Sequence, residues 1–203
     1  MTTWPSDRVI DLYDRNVDAF AAARSTSLFE SGWLSAFRRT MPAGGASVLD
    51  LGCGTGRPLA AHLIDAGCRL TGIDGAPGMI DRARTAFPDH DWRVADMRAL
   101  PPLGRFDGLI AWHSLFHLTP EDQRSIIAAM SGLASPGAAL MFTSGPAFGV
   151  SLGTFAGSPL YHASLAPAAY RGALRDAGFE VRRHVACDPT CGGATVWLAR
   201  RTC

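Results

Sequence analysis

Charge is scarce in this 203-residue chain: Asp, Glu, Lys and Arg make up 18% of it and the formal net charge is +1. So small an imbalance sets up no long-range field, which argues against nucleic acid and anionic membranes as partners. Long apolar runs are missing as well. None approaches the roughly 18 residues of a membrane span, and the N-terminal "MTTWPSDRVI" has no basic start ahead of an apolar core. The expectation is a soluble cytoplasmic protein. No internal repeat or low-complexity tract occurs, and no disulfide framework can be drawn, because the five cysteines (53, 68, 187, 191 and 203) form an odd, irregular set suited to reduced thiols. "HVACDPTC" brings His184, Cys187 and Cys191 close in sequence but lacks the fourth ligand and tight cysteine pairs of a zinc site, so no metal is expected. The length suits one sizeable core, hence a single domain over 1–203.

What the chain does have is "VLDLGCGTGRPLAAHL" at 48–63, an apolar run broken by Gly52, Gly54 and Gly56 on alternate positions before helical spacing resumes. One glycine would suit a tight turn. Three, between a strand and a helix start, favour close approach of a nucleotide-like group to the backbone.

The surrounding pattern alternates short β-rich runs with amphipathic stretches, which predicts a parallel sheet wrapped by helices. "DRVIDLYDRNVDAFAAAR" and "SLFESGWLSAFRRTM" predict two helices in an N-terminal cover over 1–42. Strands are expected at "SVLDLG", "RLTGID", "DWRVAD", "RFDGLIAWHS", "SPGAALMFTSG", "FEVRRHVA" and "GGATVWLARR", the last two pairing as an antiparallel hairpin. In "LTPEDQRSIIAAMSGLA", Thr119 is placed to cap a helix that begins at Pro120. The expected fold is α/β, a doubly wound seven-stranded sheet with helices on both faces. Its cofactor-binding core covers 46–145 and a C-terminal helix and hairpin cover 167–203. Between them, 146–166 reads as a long glycine-rich loop leaving a strand's C-terminal edge, the place of a substrate lid.

A dinucleotide fingerprint needs glycine where this chain has Arg57, which weakens a nicotinamide reading. The combination of "VLDLGCGTG", "GID" ending at Asp74 and "VAD" ending at Asp96 resembles the class I S-adenosylmethionine-dependent methyltransferases. The resemblance implies that S-adenosylmethionine binds here, leaving as S-adenosylhomocysteine. It implies that Gly52, Gly54 and Gly56 pass along its methionine part, that Asp50 orients that loop, and that Asp96 and the Met97 backbone meet the adenine. Asp74 either accepts hydrogen bonds from the ribose diol or caps the next helix; Met79 lines the adenine pocket or faces the core. Tyr13 is similar to a tyrosine that relatives place near the cofactor's carboxylate, where Arg24 could add charge.

A sulfonium methyl is already activated, so the protein's work is to align a nucleophile and manage its proton. In "AWHSLFHLTPED", His113 and His117 are the candidate proton acceptors, against the plainer reading of hydrogen-bonded structural histidines. Tyr161 and His162 offer flat surface and polar tips for an acceptor, Tyr161 alternatively serving as an anchor; Trp33 and Phe37 are core or pocket wall. With no basic, aromatic-interleaved stripe, the expected partner is a small molecule accepting methyl on oxygen or nitrogen, the protein being a monomer or homodimer. A nucleotide-dependent oxidoreductase and a non-catalytic cofactor-binding protein stand as the alternatives.

Overall fold

The structure is a computed structural model that describes residues 5–25 and 27–202; Cys203 lies outside the described residues. The N-terminal segment breaks into α1 (Val9–Arg15) and α2 (Val17–Ala23), then α3 (Ser31–Thr40). A single long helix through 7–24 is therefore not formed. Asn16 stands between α1 and α2 with φ −126°, and its side-chain amide donates to the Leu12 carbonyl at 2.8 Å, competing with the helical ladder.

The remaining elements run β1 (Ser47–Leu51), α4 (Leu59–Asp65), β2 (Arg69–Asp74), α5 (Pro77–Ala86), β3 (Asp91–Val94), β4 (Phe106–Ala111) and α6 (Pro120–Leu133). They continue with β5 (Ala134–Ser144), β6 (Gly149–Phe155), β7 (Ser158–Ser164), α7 (Pro167–Asp176), β8 (Phe179–Asp188) and β9 (Ala194–Arg201). Thr119 caps α6 by accepting from the Asp122 amide at 3.1 Å.

Among the described residues the main sheet has seven strands in the order β3-β2-β1-β4-β5-β9-β8, with parallel pairing through β5 and antiparallel pairing of β5, β9 and β8. Strand order reverses between β1 and β4, so their C-terminal ends part to leave a crevice. Strand alternation divides the core. Leu49, Leu109, Leu140 and Trp197 face α6 and α7, while Val48, Ile110, Met141 and Leu198 face α3, α4 and α5. Thus α3 is part of one core layer, whereas α1 and α2 lie by the crevice.

The stretch 146–166 is not an irregular loop. It folds as the β6–β7 hairpin, a separate two-stranded sheet whose Leu160, Tyr161 and Ala163 pack against Val9 and Leu12 of α1. His184, Cys187 and Cys191 do not converge: the His184 ring stacks on Trp197 with centroids 3.7 Å apart. Among the described residues no helix is long and apolar enough to cross a membrane.

Trp33 belongs to the core, not to a pocket wall. It is 2% exposed, Arg183 lies over its ring, and its indole N–H donates to the Asp188 carboxylate at 2.9 Å. Phe37 is wholly buried beside it. Trp33→Phe removes that donor together with the pyrrole half of the indole, and is expected to lower stability by about 1–3 kcal/mol in denaturant unfolding; an unchanged midpoint would deny the bond its role.

Candidate functional site

At the crevice lies a cavity of about 300 Å³ whose wall takes residues from the ends of β1, β2 and β4, from the turn after β3, from α1 and α2, and from β7. Asp50, Gly52, Gly54, Gly56, Asp74, Met79, Asp96, Met97, Tyr13, His113, His117 and His162 all line it. Trp33 and Tyr161 do not. Tyr161 is 8% exposed, its ring in the cluster that fastens the hairpin to α1; its backbone carbonyl is what reaches the site.

Gly52, Gly54 and Gly56 have φ of 74°, 54° and 77°, so the loop after β1 is left-handed at each. At Gly52 the need is doubled. A Cβ there would stand 2.3 Å from Cβ of Ser114, whose hydroxyl donates to the Leu51 carbonyl at 2.6 Å. The glycine lets the β4 loop close against β1, a contact of the chain with itself that a motif reading attributes to a ligand. The loop's own amides are engaged as well: those of Gly52 and Cys53 donate to the Ile73 carbonyl at 2.7 and 3.0 Å.

Asp74 fastens together the loops that follow β1 and β2, on one side of the crevice. One carboxylate oxygen accepts from the Gly54 amide and the other from the Ala76 amide at the head of α5, both at 2.9 Å. The two roles left open by the sequence are thus compatible, since each oxygen keeps a further lone pair and the residue lines the cavity. Burial raises the Asp74 pKa against the lowering effect of these bonds. Asp50 is 4% exposed; burial first, and then the nearby Asp74 charge, push it up to about 7, with Arg24 working in the opposite sense. Asp96 behaves differently. Partial burial acts to raise it, but Arg98 clasps both oxygens and the net shift is downward. Arg98 also reaches Asp7 at 2.9 Å, which ties the N-terminal segment to the cavity rim.

His117 is held at both ring nitrogens. Nδ1 lies 2.9 Å from the Tyr161 carbonyl, which can only accept, so Nδ1 carries the hydrogen and Nε2 accepts from the Tyr13 hydroxyl at 3.1 Å. Burial lowers its pKa to about 4 and raises that of Tyr13 to about 12, leaving both neutral near pH 7. His117 is therefore a clasp joining α1, the β4 loop and the hairpin. His113 projects into the open cavity with φ 53°, uncommon for a residue with a side chain, while its amide donates to Thr143 Oγ1 at 2.8 Å. The surrounding walls lower its pKa, and Arg24 adds to this.

Sequence reasoning missed Ser114, Trp112, Phe116, Phe20 and Arg98 as wall residues. Ser114, Trp112 and Phe116 lie within "AWHSLFHL" beside the histidines that were singled out, so proximity to that motif was the available signal. Phe20 and Arg98 carried none.

Residues 48–137 match the profile of a family described as "Methyltransferase domain". Over 90 residues the chain is 39% identical to the trans-aconitate 2-methyltransferase of Escherichia coli O1:K1 / APEC, a stretch that is 44% of this chain and 35% of that enzyme. The chain thus spans about a third of the length of the curated relatives it matches. In three dimensions it is similar to an amino pentose methyltransferase from Micromonospora echinaspora involved in calicheamicin biosynthesis, solved with S-adenosylmethionine bound. The TM-score is 0.71 at 20% identity, covering 93% of this chain and 96% of that one. It is also similar to the 1,6-didemethyltoxoflavin-N1-methyltransferase of Burkholderia thailandensis, solved with S-adenosylhomocysteine, at TM-score 0.73 and 20% identity over 100% and 92% of the chains. At these identities the likeness is one of fold.

Tyr13→Phe removes the donor to His117 Nε2 and leaves that nitrogen buried without a partner. The expected cost is about 1–3 kcal/mol in thermal unfolding, with faster hydrogen exchange in β7. Exchange unchanged in the hairpin would show that the clasp does not hold it.

Proposed function

We propose that this chain, whose residues 48–137 match the methyltransferase domain profile, transfers a methyl group from S-adenosylmethionine to an oxygen or nitrogen of a small molecule. One observation carries the reading: Asp50, Asp74 and Asp96, from the ends of three successive parallel strands, line a single cavity at the point where strand order reverses, opposite His113.

The residues present suit the cofactor. Asp74 would accept from the ribose hydroxyls with the lone pairs its two backbone bonds leave free. Asp96 and the Met97 backbone would meet the adenine, with Met79 buried at the same wall. The methionine part would pass along Gly52, Gly54 and Gly56, its charged end between Asp50 and the Tyr13–Arg24 side. When bound, the cofactor supplies a methyl group on sulfonium sulfur, an electrophile that needs alignment more than activation. The chain's own residues then exclude water and orient the acceptor; His113, which projects into the cavity, stands nearest that task, while His117 holds the wall in place. Arg57 lies over the Phe87 ring at 5.0 Å, in the position a dinucleotide fingerprint reserves for glycine.

Calorimetry with S-adenosylmethionine, S-adenosylhomocysteine and NAD(H) tests the reading. Micromolar binding of the first two without the third is expected, and Asp74→Ala is expected to weaken it by about 1–3 kcal/mol. Preference for NAD(H) would overturn the reading; cofactor binding without methyl transfer to any acceptor offered would leave a binding protein.

The raised pKa of Asp50 gives a second check. Free Asp50 is protonated below about pH 7, whereas a cationic ligand favours its ionised form, so affinity for S-adenosylmethionine is expected to fall as pH drops below 7. Asp50→Asn should flatten that profile. A wild-type affinity independent of pH between 5 and 8 would remove Asp50 from the ligand's field.

A further inference from the structure

The cavity's upper wall carries chemistry that cofactor binding does not use. Rings succeed one another along it: Trp112 and His113 at 5.3 Å between centroids, His113 and Phe116 at 5.8 Å, and Phe116 and His162 at 5.3 Å. All four line the cavity. A chain of flat faces of this kind offers stacking and edge-to-face contacts that a planar ligand can match and a puckered one cannot.

His162, on β7, has the geometry of a proton acceptor. Its ring lies across Gly153 of β6, where a Cβ would stand 3.0 Å from Cε1 and 3.3 Å from Nδ1. The Nδ1–Cε1 edge thus faces the hairpin backbone. Nε2 is the ring nitrogen turned away from Gly153, and in the neutral ring an imidazole nitrogen can accept a proton. His117, 5.0 Å behind, has both nitrogens committed to Tyr13 and Tyr161. Burial holds the His162 pKa below its ordinary value, so the ring is neutral and able to accept near pH 7.

Building on the methyltransferase reading, we propose that the acceptor is a planar aromatic or heteroaromatic molecule bearing a hydroxyl, laid against this wall with that hydroxyl at His162 Nε2. The O–H bond then breaks, its electron pair stays on oxygen as the nucleophile, and the proton passes to Nε2, to be returned to water after product release. The hairpin that roofs the cavity so supplies the base, and Gly153 is the position that makes room for it.

The test uses the whole chain saturated with S-adenosylhomocysteine, with 4-nitrophenol as probe because its ionised form absorbs visible light and its neutral form does not. Cyclohexanol is the non-planar control. Calorimetry is expected to find 4-nitrophenol bound at least about tenfold more tightly than cyclohexanol. At about pH 6 the bound probe is expected to be more ionised in the wild type than in His162→Phe, which keeps a ring in the wall and removes the proton acceptor. Gly153→Val should lower the ionisation of the bound probe as His162→Phe does, by displacing the ring, and Phe116→Ala should cost affinity. Equal affinity for the two probes, or equal ionisation of the bound probe in the wild type and His162→Phe, overturns the proposal. The S-adenosylhomocysteine isotherm of the same sample keeps the two readings apart: a chain that binds it but shows no preference for the planar probe loses this inference alone, and a chain that fails to bind it loses the cofactor reading on which the inference rests.

Discussion

The carboxylate of Asp74 is the tie on which the site's geometry depends. Its two oxygens hold the Gly54 amide in the loop after β1 and the Ala76 amide in the loop after β2. Parallel strands end with their backbone groups unpaired, and here one side chain from the end of β2 satisfies groups from two different connections. That bond fixes where the left-handed loop after β1 turns, and the loop in turn fixes how near Ser114 and the whole β4 loop can come. The histidines, carried on that loop, inherit their positions from it.

The roof is built by different means. It has no sheet ladder in common with the main domain; the β6–β7 hairpin is held by apolar packing on α1 and by the Tyr13–His117–Tyr161 hydrogen-bond chain. The middle member of that chain must stay neutral for the pattern of donors and acceptors to hold, and burial ensures it. A floor of backbone bonds under a roof of side-chain contacts makes the roof the part able to open at lower cost.

Much of this arrangement could be read from residues alone, for a physical reason. Buried parallel strands such as Val48–Leu51 and Leu109–Ala111 announce themselves as apolar runs, and Thr119 followed by Pro120 has few uses other than starting a helix. The hairpin was hidden because its outer strand faces solvent with Val150 and Leu152 and its inner strand is covered on both faces, so neither shows the alternation that marks a half-buried strand. Trp33 was ambiguous because an aromatic on an amphipathic helix looks the same whether it meets ligand or core; its partner Asp188 lies 155 residues away. The second role of Asp74, as acceptor for the Gly54 amide, spans 20 residues and depends on the crevice already being formed.

Charge is distributed along the cavity so that its two ends favour different ligands. Asp50, Asp74 and Asp96 line it on the side of β1, β2 and β3, and the Asp74 charge raises the cost of ionising Asp50 and Tyr13, a strain that a bound cation relieves. Arg24 opposes them: its charge acts on Tyr13, Asp50 and His113 together, and it is itself paired with the buried Glu30 at 3.6 Å. Beyond Arg24 the wall is made of rings that are neutral near pH 7, among them His117 and His162. A ligand positive at one end and an uncharged flat molecule at the other would each meet the environment that costs least to desolvate. The field of the site, more than any single contact, therefore suits a charged cofactor on the carboxylate side and an uncharged acceptor on the ring side, as the methyltransferase proposal requires.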